Sequence, residues 1–378
     1  MTKTDKNTDN VQLSDIASSS PSETTTTKSQ VQRDTRKYII ICVIAIIVII
    51  AVVVITVAVL LTKQKAKPII PIVEVNGNTT WKQHGITVAG GNKSGNELNK
   101  LNGPRGFDLD DDLTLYIADE MNHRVVRWKV NASQGELIAG KDGKGNKRNQ
   151  LETPTDVAID KQNHSLIICD AGNSRILKVN HHNLVQEPTV ILNTDCFSIM
   201  IDNNGYIYIS ETLSGGIKRW KEGQSDPEVI AGGNGPGNDL YHHMFPMYFF
   251  VDHNNDLVYV SDAYNHRVMK WLKNATKGIV VAGGYNNTND LVYLLNVTTG
   301  IVVDNSNNIY VADRDNSRIM RFTEGSQVGK IVVSGKSVGS MVNQLKDPED
   351  ILFDREGNLY VVDCGNHRVQ KFFIDKRH

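Results

Sequence analysis

From residue 86 onward the chain alternates short apolar runs with polar turns, and the pattern recurs about every 50 residues. In the last repeat, Asp350-Ile351-Leu352-Phe353-Asp354 predicts a short strand, Arg355-Glu356-Gly357-Asn358 a turn, and Leu359-Tyr360-Val361-Val362 a second strand. A second turn, Asp363 to Arg368, leads into Val369-Gln370-Lys371-Phe372, whose in–out alternation predicts a third strand. Earlier repeats follow the same order and are trailed by a fourth run, at 137–140, 189–192, 229–232, 279–282 and 330–333. The last repeat stops after its third strand, while Ile86-Thr87-Val88-Ala89-Gly90 precedes the first repeat with nothing of its own to pair with. A lone four-stranded unit cannot cover its apolar faces. The expectation is therefore all-β: a six-bladed β-propeller over residues 80–378, with the N-terminal strand closing the last blade.

A polar phrase marks the second turns: Asp, then Asn-(His/Ser)-Arg three residues later, then an aliphatic residue. Its copies hold Asp119 and Arg124, Asp170 and Arg175, Asp262 and Arg267, Asp313 and Arg318, and Asp363 and Arg368. The arginines are separated by 51, 92, 51 and 50 residues, so the wide gap predicts a sixth, worn copy. Glu211 stands there in the aspartate place, with Ser214-Gly215-Gly216-Ile217 in place of Asn-His-Arg-Val. A device repeated in five blades reads as structural: the aspartate bonds turn amides and pairs with an arginine, setting blade spacing. With second strands such as Tyr310-Val311-Ala312-Asp313 and Tyr116-Ile117-Ala118-Asp119, the repeats resemble NHL repeats over about 300 residues. The resemblance implies a propeller and tolerates a membrane anchor. It also brings in a zinc-dependent amidating lyase with channel histidines, but no three histidines of this chain fall on channel positions, so that chemistry is not carried over.

Ahead of the repeats, Tyr38 to Leu61 is a run without charge, about 36 Å long as a helix and enough to cross a ~30 Å hydrocarbon core. It reads as an uncleaved transmembrane signal anchor over 38–61, with a Ser/Thr-rich disordered cytoplasmic tail over 1–37 and a proline-bearing stalk over 62–79. Basic residues flank both ends, so charge does not orient the helix. Sequons at Asn78, Asn92, Asn131, Asn163, Asn274, Asn286 and Asn296 all follow the run and none precedes it. They favour a single-pass type II protein whose propeller is extracellular or lumenal and glycosylated.

A formal charge of −1 over 378 residues, with no basic stripe, argues against nucleic acid as a partner. Four cysteines are too few for a disulfide framework; a Cys169–Cys196 bridge between neighbouring repeats is one option, and Cys364 has no assigned partner. Four residues before the aspartates that end the innermost strands lie Gly106, Asp156, Ser198, Tyr248, Gly300 and Asp350. Asp156, Ser198, Tyr248 and Asp350 are the candidate ligand-binding residues at the channel mouth, with chemistry suited to a calcium or zinc ion or to a polar ligand. Each aspartate alternatively caps only its own strand entry. No motif calls for a cofactor or supplies a catalytic residue. The aromatic run Phe245 to Phe250 predicts core packing with a greasy lip beside the channel. The leading expectation is a non-catalytic propeller binding an extracellular protein or glycan on its top face; the alternative is a metal-dependent hydrolase or lyase at the channel mouth.

Overall fold

The computed structural model describes residues 24–63 and 74–376, apart from positions 92, 183, 185, 254, 285–293, 327, 335 and 336. These fall into two units, divided near residue 69. The first is a helix, Thr24–Lys63. It begins well before the apolar run because no Gly or Pro interrupts Thr24 to Lys63, and Lys28, Gln30, Gln32 and Arg33 propagate a helix readily. Residues 24–37 are thus helical; the rest of the tail, residues 1–23, lies outside the described residues. The stretch Thr35–Val53, mean hydropathy 2.7, is long and apolar enough to cross a membrane.

The second unit is a ring of six antiparallel four-stranded sheets. Five blades are contiguous in the chain. The sixth takes strands Pro348–Phe353, Leu359–Asp363 and Arg368–Phe372 from the C-terminal end and Ile86–Gly90 from the N-terminal end. Ile86 lies opposite Lys371 and Gly90 opposite Arg368. The seal extends upstream: Trp81 stacks on Phe353 at 5.5 Å, meets Tyr310 edge-on at 5.7 Å, and donates its indole N–H to the Gly357 carbonyl at 2.8 Å. Val75 is buried, and Arg321 donates to the Thr79 carbonyl at 3.1 Å, so the part of the expected stalk from residue 74 lies against the ring. Residues 64–73 lie outside the described residues.

The core sits between blades. Tyr116, Val125 and Ile138 of blade one pack on Val157, Ile168 and Leu177 of blade two, because strands buried on both faces carry apolar side chains on both. Innermost strands start irregularly, with the pairing register shifting at Pro104/Phe107, Pro154/Asp156, Pro246/Phe249, Thr298/Ile301 and Pro348/Ile351. Bulges of this kind re-aim side chains. Asp156, Tyr248 and Asp350 lie at or beside these shifts.

Candidate functional site

Each repeated aspartate is fully buried and receives its own blade's arginine. In blade one, Arg124 Nε and Asn122 Nδ2 donate to Asp119 Oδ2 at 2.7 and 2.8 Å, and the Asn102 amide donates to Oδ1 at 2.7 Å. The rest of the guanidinium donates to the Asn96 and Lys100 carbonyls, tying down the loop that enters the blade. Asp170 and Arg175 (2.7 Å), Asp262 and Arg267 (2.7 Å), Asp313 and Arg318 (2.6 Å), and Asp363 and Arg368 (2.7 Å) repeat the pairing. The middle residue of the phrase adopts a left-handed conformation (φ 54° at His123). Its ring reaches the next blade: His123, His266 and His367 Nδ1 accept the amides of Thr153, Val297 and Gly103. The phrase thus holds a loop and a seam.

Blade three replaces it. Glu211 receives Lys218 Nζ at 2.6 Å and the Ser214 hydroxyl at 2.8 Å. The buried His243, from the loop leading to blade four, bonds the Gly215 carbonyl through Nδ1 at 2.9 Å and accepts Trp271 Nε1 at 2.9 Å. Cys169 of blade two and Cys196 of blade three form a disulfide with their Cα atoms 5.8 Å apart; Cys42 and Cys364 are free.

Around the axis, Asp156, Ser198, Tyr248 and Asp350 do come together, lining one cavity of about 260 Å³ with Asp108. They are buried rather than displayed at a mouth. The aspartates are inter-blade staples. Asp156 accepts its neighbour Val157 N at 2.8 Å, and from blade three Ile199 N at 2.9 Å and the Ser198 hydroxyl at 2.7 Å. Asp350 accepts Ile351 N at 2.8 Å and, from blade one, Phe107 N at 3.2 Å; Asp108 accepts Leu109 N at 2.7 Å and, from blade two, Ile159 N at 2.8 Å. Capping therefore accounts for one oxygen of each and the next blade engages the other. Gly106 and Gly300 face these staples: a Cβ on Gly106 would lie 2.0 Å from Asp156 Oδ1, and one on Gly300 2.6 Å from the Asp350 backbone. Burial pushes Asp108 up to about 6 and Asp156 up to about 7, and raises Asp350 well above the usual carboxyl range, with mutual repulsion adding to the last. Among the described residues, no group of three or more His, Cys, Asp or Glu is arranged to hold a metal ion.

A second layer lies just above, on the face of the second turns, one residue earlier in each innermost strand. Arg105 donates to Glu120 at 2.8 Å and to Glu349 at 2.6 Å, and Arg314 Nε lies 3.0 Å from the same Glu349 oxygen. Glu349 is fully buried. From this layer an aromatic row runs outward. Tyr248 meets Phe197 at 5.6 Å, Phe197 meets Phe245 at 6.1 Å, and Phe245 meets Tyr264 at 5.2 Å, with the Arg105 guanidinium 5.8 Å over Phe197. Arg105, Glu349 and Phe197 were reachable by counting back five rather than four residues from the strand-ending aspartates. Arg314 and Tyr264 come from second turns and carry no such signal. Of the run Phe245 to Phe250, Met247, Tyr248 and Phe249 are buried, while Phe245 and Phe250 are half-buried.

The fold and its turn devices define a repeat propeller. The NHL repeat family profile matches residues 298–322 and 345–372, which form parts of blades five and six of this six-bladed β-propeller. No curated protein sequence matches it. Similar solved structures include a protein of unknown function from Bacteroides thetaiotaomicron (TM-score 0.59, 14% identity, 77% of this chain and 76% of that one). An auxiliary nutrient binding protein from the same organism is similar at TM-score 0.58, 14% identity and the same coverages. A gluconolactonase from Xanthomonas campestris has TM-score 0.51 and 13% identity, covering 80% of this chain and 99% of that one. At these identities the likeness is one of fold.

Proposed function

We propose that this chain is a single-pass, membrane-anchored propeller, with its ring extracellular or lumenal, that binds a partner on the second-turn face of blades three and four without catalysis. The observation that carries this is an apolar display beside the channel. Leu213 is 75% exposed, Tyr264 53% and Met244 36%, and Tyr264 joins the aromatic row through Phe245. Exposed apolar groups clustered on one face favour a protein surface, and scattered polar loops do not supply the same desolvation gain. The ring's placement is supported by the disulfide, which suits an oxidising compartment, and by the exposure of Asn78, Asn131, Asn163, Asn274 and Asn296. Asn92 and Asn286 lie outside the described residues. A metal-dependent hydrolase or lyase draws less support, because the channel carboxylates that would ligate the ion are engaged by backbone amides.

The test is capture of cell-surface neighbours by the full chain and by its L213D/Y264D variant. The expected outcome is a partner enriched by the parent and lost by the variant at unchanged melting temperature. Loss only after glycosidase treatment of the cells would assign the contact to a glycan; retention by the variant would overturn the assigned face.

A further inference from the structure

The channel cavity has an unbalanced inventory. Its polar lining is Asp108, Asp156, Asp350, Ser198 and Tyr248; the rest is apolar, and no Lys, Arg or His lines it. An ionised carboxylate has about four acceptor positions. Asp108 and Asp350 use one on each oxygen, and Asp156 uses three in all. Ser198 spends its hydroxyl proton on Asp156. Tyr248, 3% exposed, leaves its buried hydroxyl with no hydrogen-bond partner, its charged neighbours being Asp350, Glu349 and Asp156 with Arg105 as the one cation. An acceptor-lined hollow walled by Phe107, Phe249 and Phe250 fits a donor that carries positive charge on an apolar body.

We propose that the propeller channel is a binding site for a small organic ammonium ion, its charged head between Asp156, Asp350 and the Tyr248 hydroxyl and its apolar body against the phenylalanines. A divalent metal fits less well, since it needs several oxygens converging on one point, which no group among the described residues provides. The volume, about 260 Å³, would hold about eight waters, which sets a body of similar heavy-atom count. Access is from the end of the channel away from the arginine layer, where Asp108, Met200, Ile201 and Leu352 are half-buried. Entry of the ammonium ion compensates the repulsion among the three carboxyls and draws them into the ionised state. The site is separate from the partner-binding face and stands without it.

The test uses the full chain in detergent, titrated calorimetrically with phenethylamine, with 2-phenylethanol as its neutral counterpart, with Nα-acetyl-lysine amide and with calcium. At about pH 8, where an alkylamine is still charged, phenethylamine should bind at least about tenfold more tightly than the alcohol. The lysine derivative separates a free amine from a side chain offered by a peptide: tighter binding of phenethylamine supports the free amine, and the reverse overturns it. Y248F removes only an unpartnered hydroxyl, so it should weaken the amine about fivefold with the melting temperature unchanged. D156N should weaken it further, beside some loss of stability. Acidification to about pH 5 should abolish binding as Asp108 and Asp156 protonate, with Asp350 beside them and Glu349 and Arg105 above and Asp110 and Lys161 below completing the charged surroundings. Equal affinity for amine and alcohol, binding indifferent to Y248F, or stoichiometric calcium binding lost in D156N would each overturn the proposal.

Discussion

Blade three and the other five blades solve one problem with different chemistry. In the five, a buried Asp–Arg pair closes the second turn and the arginine's remaining donors hold the entry loop by its carbonyls. In blade three, Glu211 finds a cation two residues further along the strand, in Lys218, while His243 holds the second turn by the Gly215 carbonyl and the disulfide to blade two holds the entry to the blade. A lysine's donors radiate from a single nitrogen, without the planar fork by which each arginine reaches a carboxylate and spaced carbonyls together. The burden passes to a covalent link and an imidazole. With no arginine spanning it, the glycine pair of this turn opens the face where Leu213 stands free. Blade three, where the device is relaxed, carries the most exposed large apolar side chain among the described residues of the ring, Leu213 at 75%.

The largest effect is expected from removing residues 74–90: with the outer strand of blade six and Trp81 gone, the ring loses its seal, and calorimetry should show no cooperative transition near that of the parent. R267A should follow, since it leaves Asp262 buried without its cation, at about 3–5 kcal/mol by chemical denaturation. E211A should lose much less, about 1 kcal/mol, because Lys218 is partly exposed and can turn to water. A loss equal to that of R267A would show that the worn blade still depends on its ion pair. C169S/C196S should remove about 2–4 kcal/mol, more than E211A, and its effect should exceed that of adding a reductant-insensitive substitution such as C364S.

The smallest effect concerns pH. Asp108 and Asp156 are raised from the ordinary 3.8 to about 6 and about 7, so the folded state holds protons that the unfolded chain has released. Their stabilising contribution is complete below 3.8 and is lost as pH rises through about 6 to 7. The melting temperature should therefore climb by a few degrees between about pH 8 and about pH 5, and D156N should flatten that slope. A melting temperature that falls over the same interval would mean these carboxyls are ionised in the native ring.

Much of this was legible in the residues alone. Six sheets, their four-strand order and the strand exchange at the ends follow from local signals that each blade repeats, and a period survives the loss of one copy. The ring of Asp156, Ser198, Tyr248 and Asp350 was also found by counting along strands, because repeats of similar length put equivalent residues at one height. Its role was not legible. Whether an aspartate faces solvent or the amide of the next blade depends on a separation between blades that no single repeat encodes. Arg105 and Glu349 stand more than two hundred residues apart, and only closure of the ring puts the first blade beside the last and makes them partners at 2.6 Å. The pairing of Cys169 with Cys196, left open by counting thiols, was decided likewise by the seam between blades two and three. Periodicity is a property of neighbours along the chain and so is written in it. Burial, pairing and charge at the axis arise from contacts between blades, and exist only once the circle is complete.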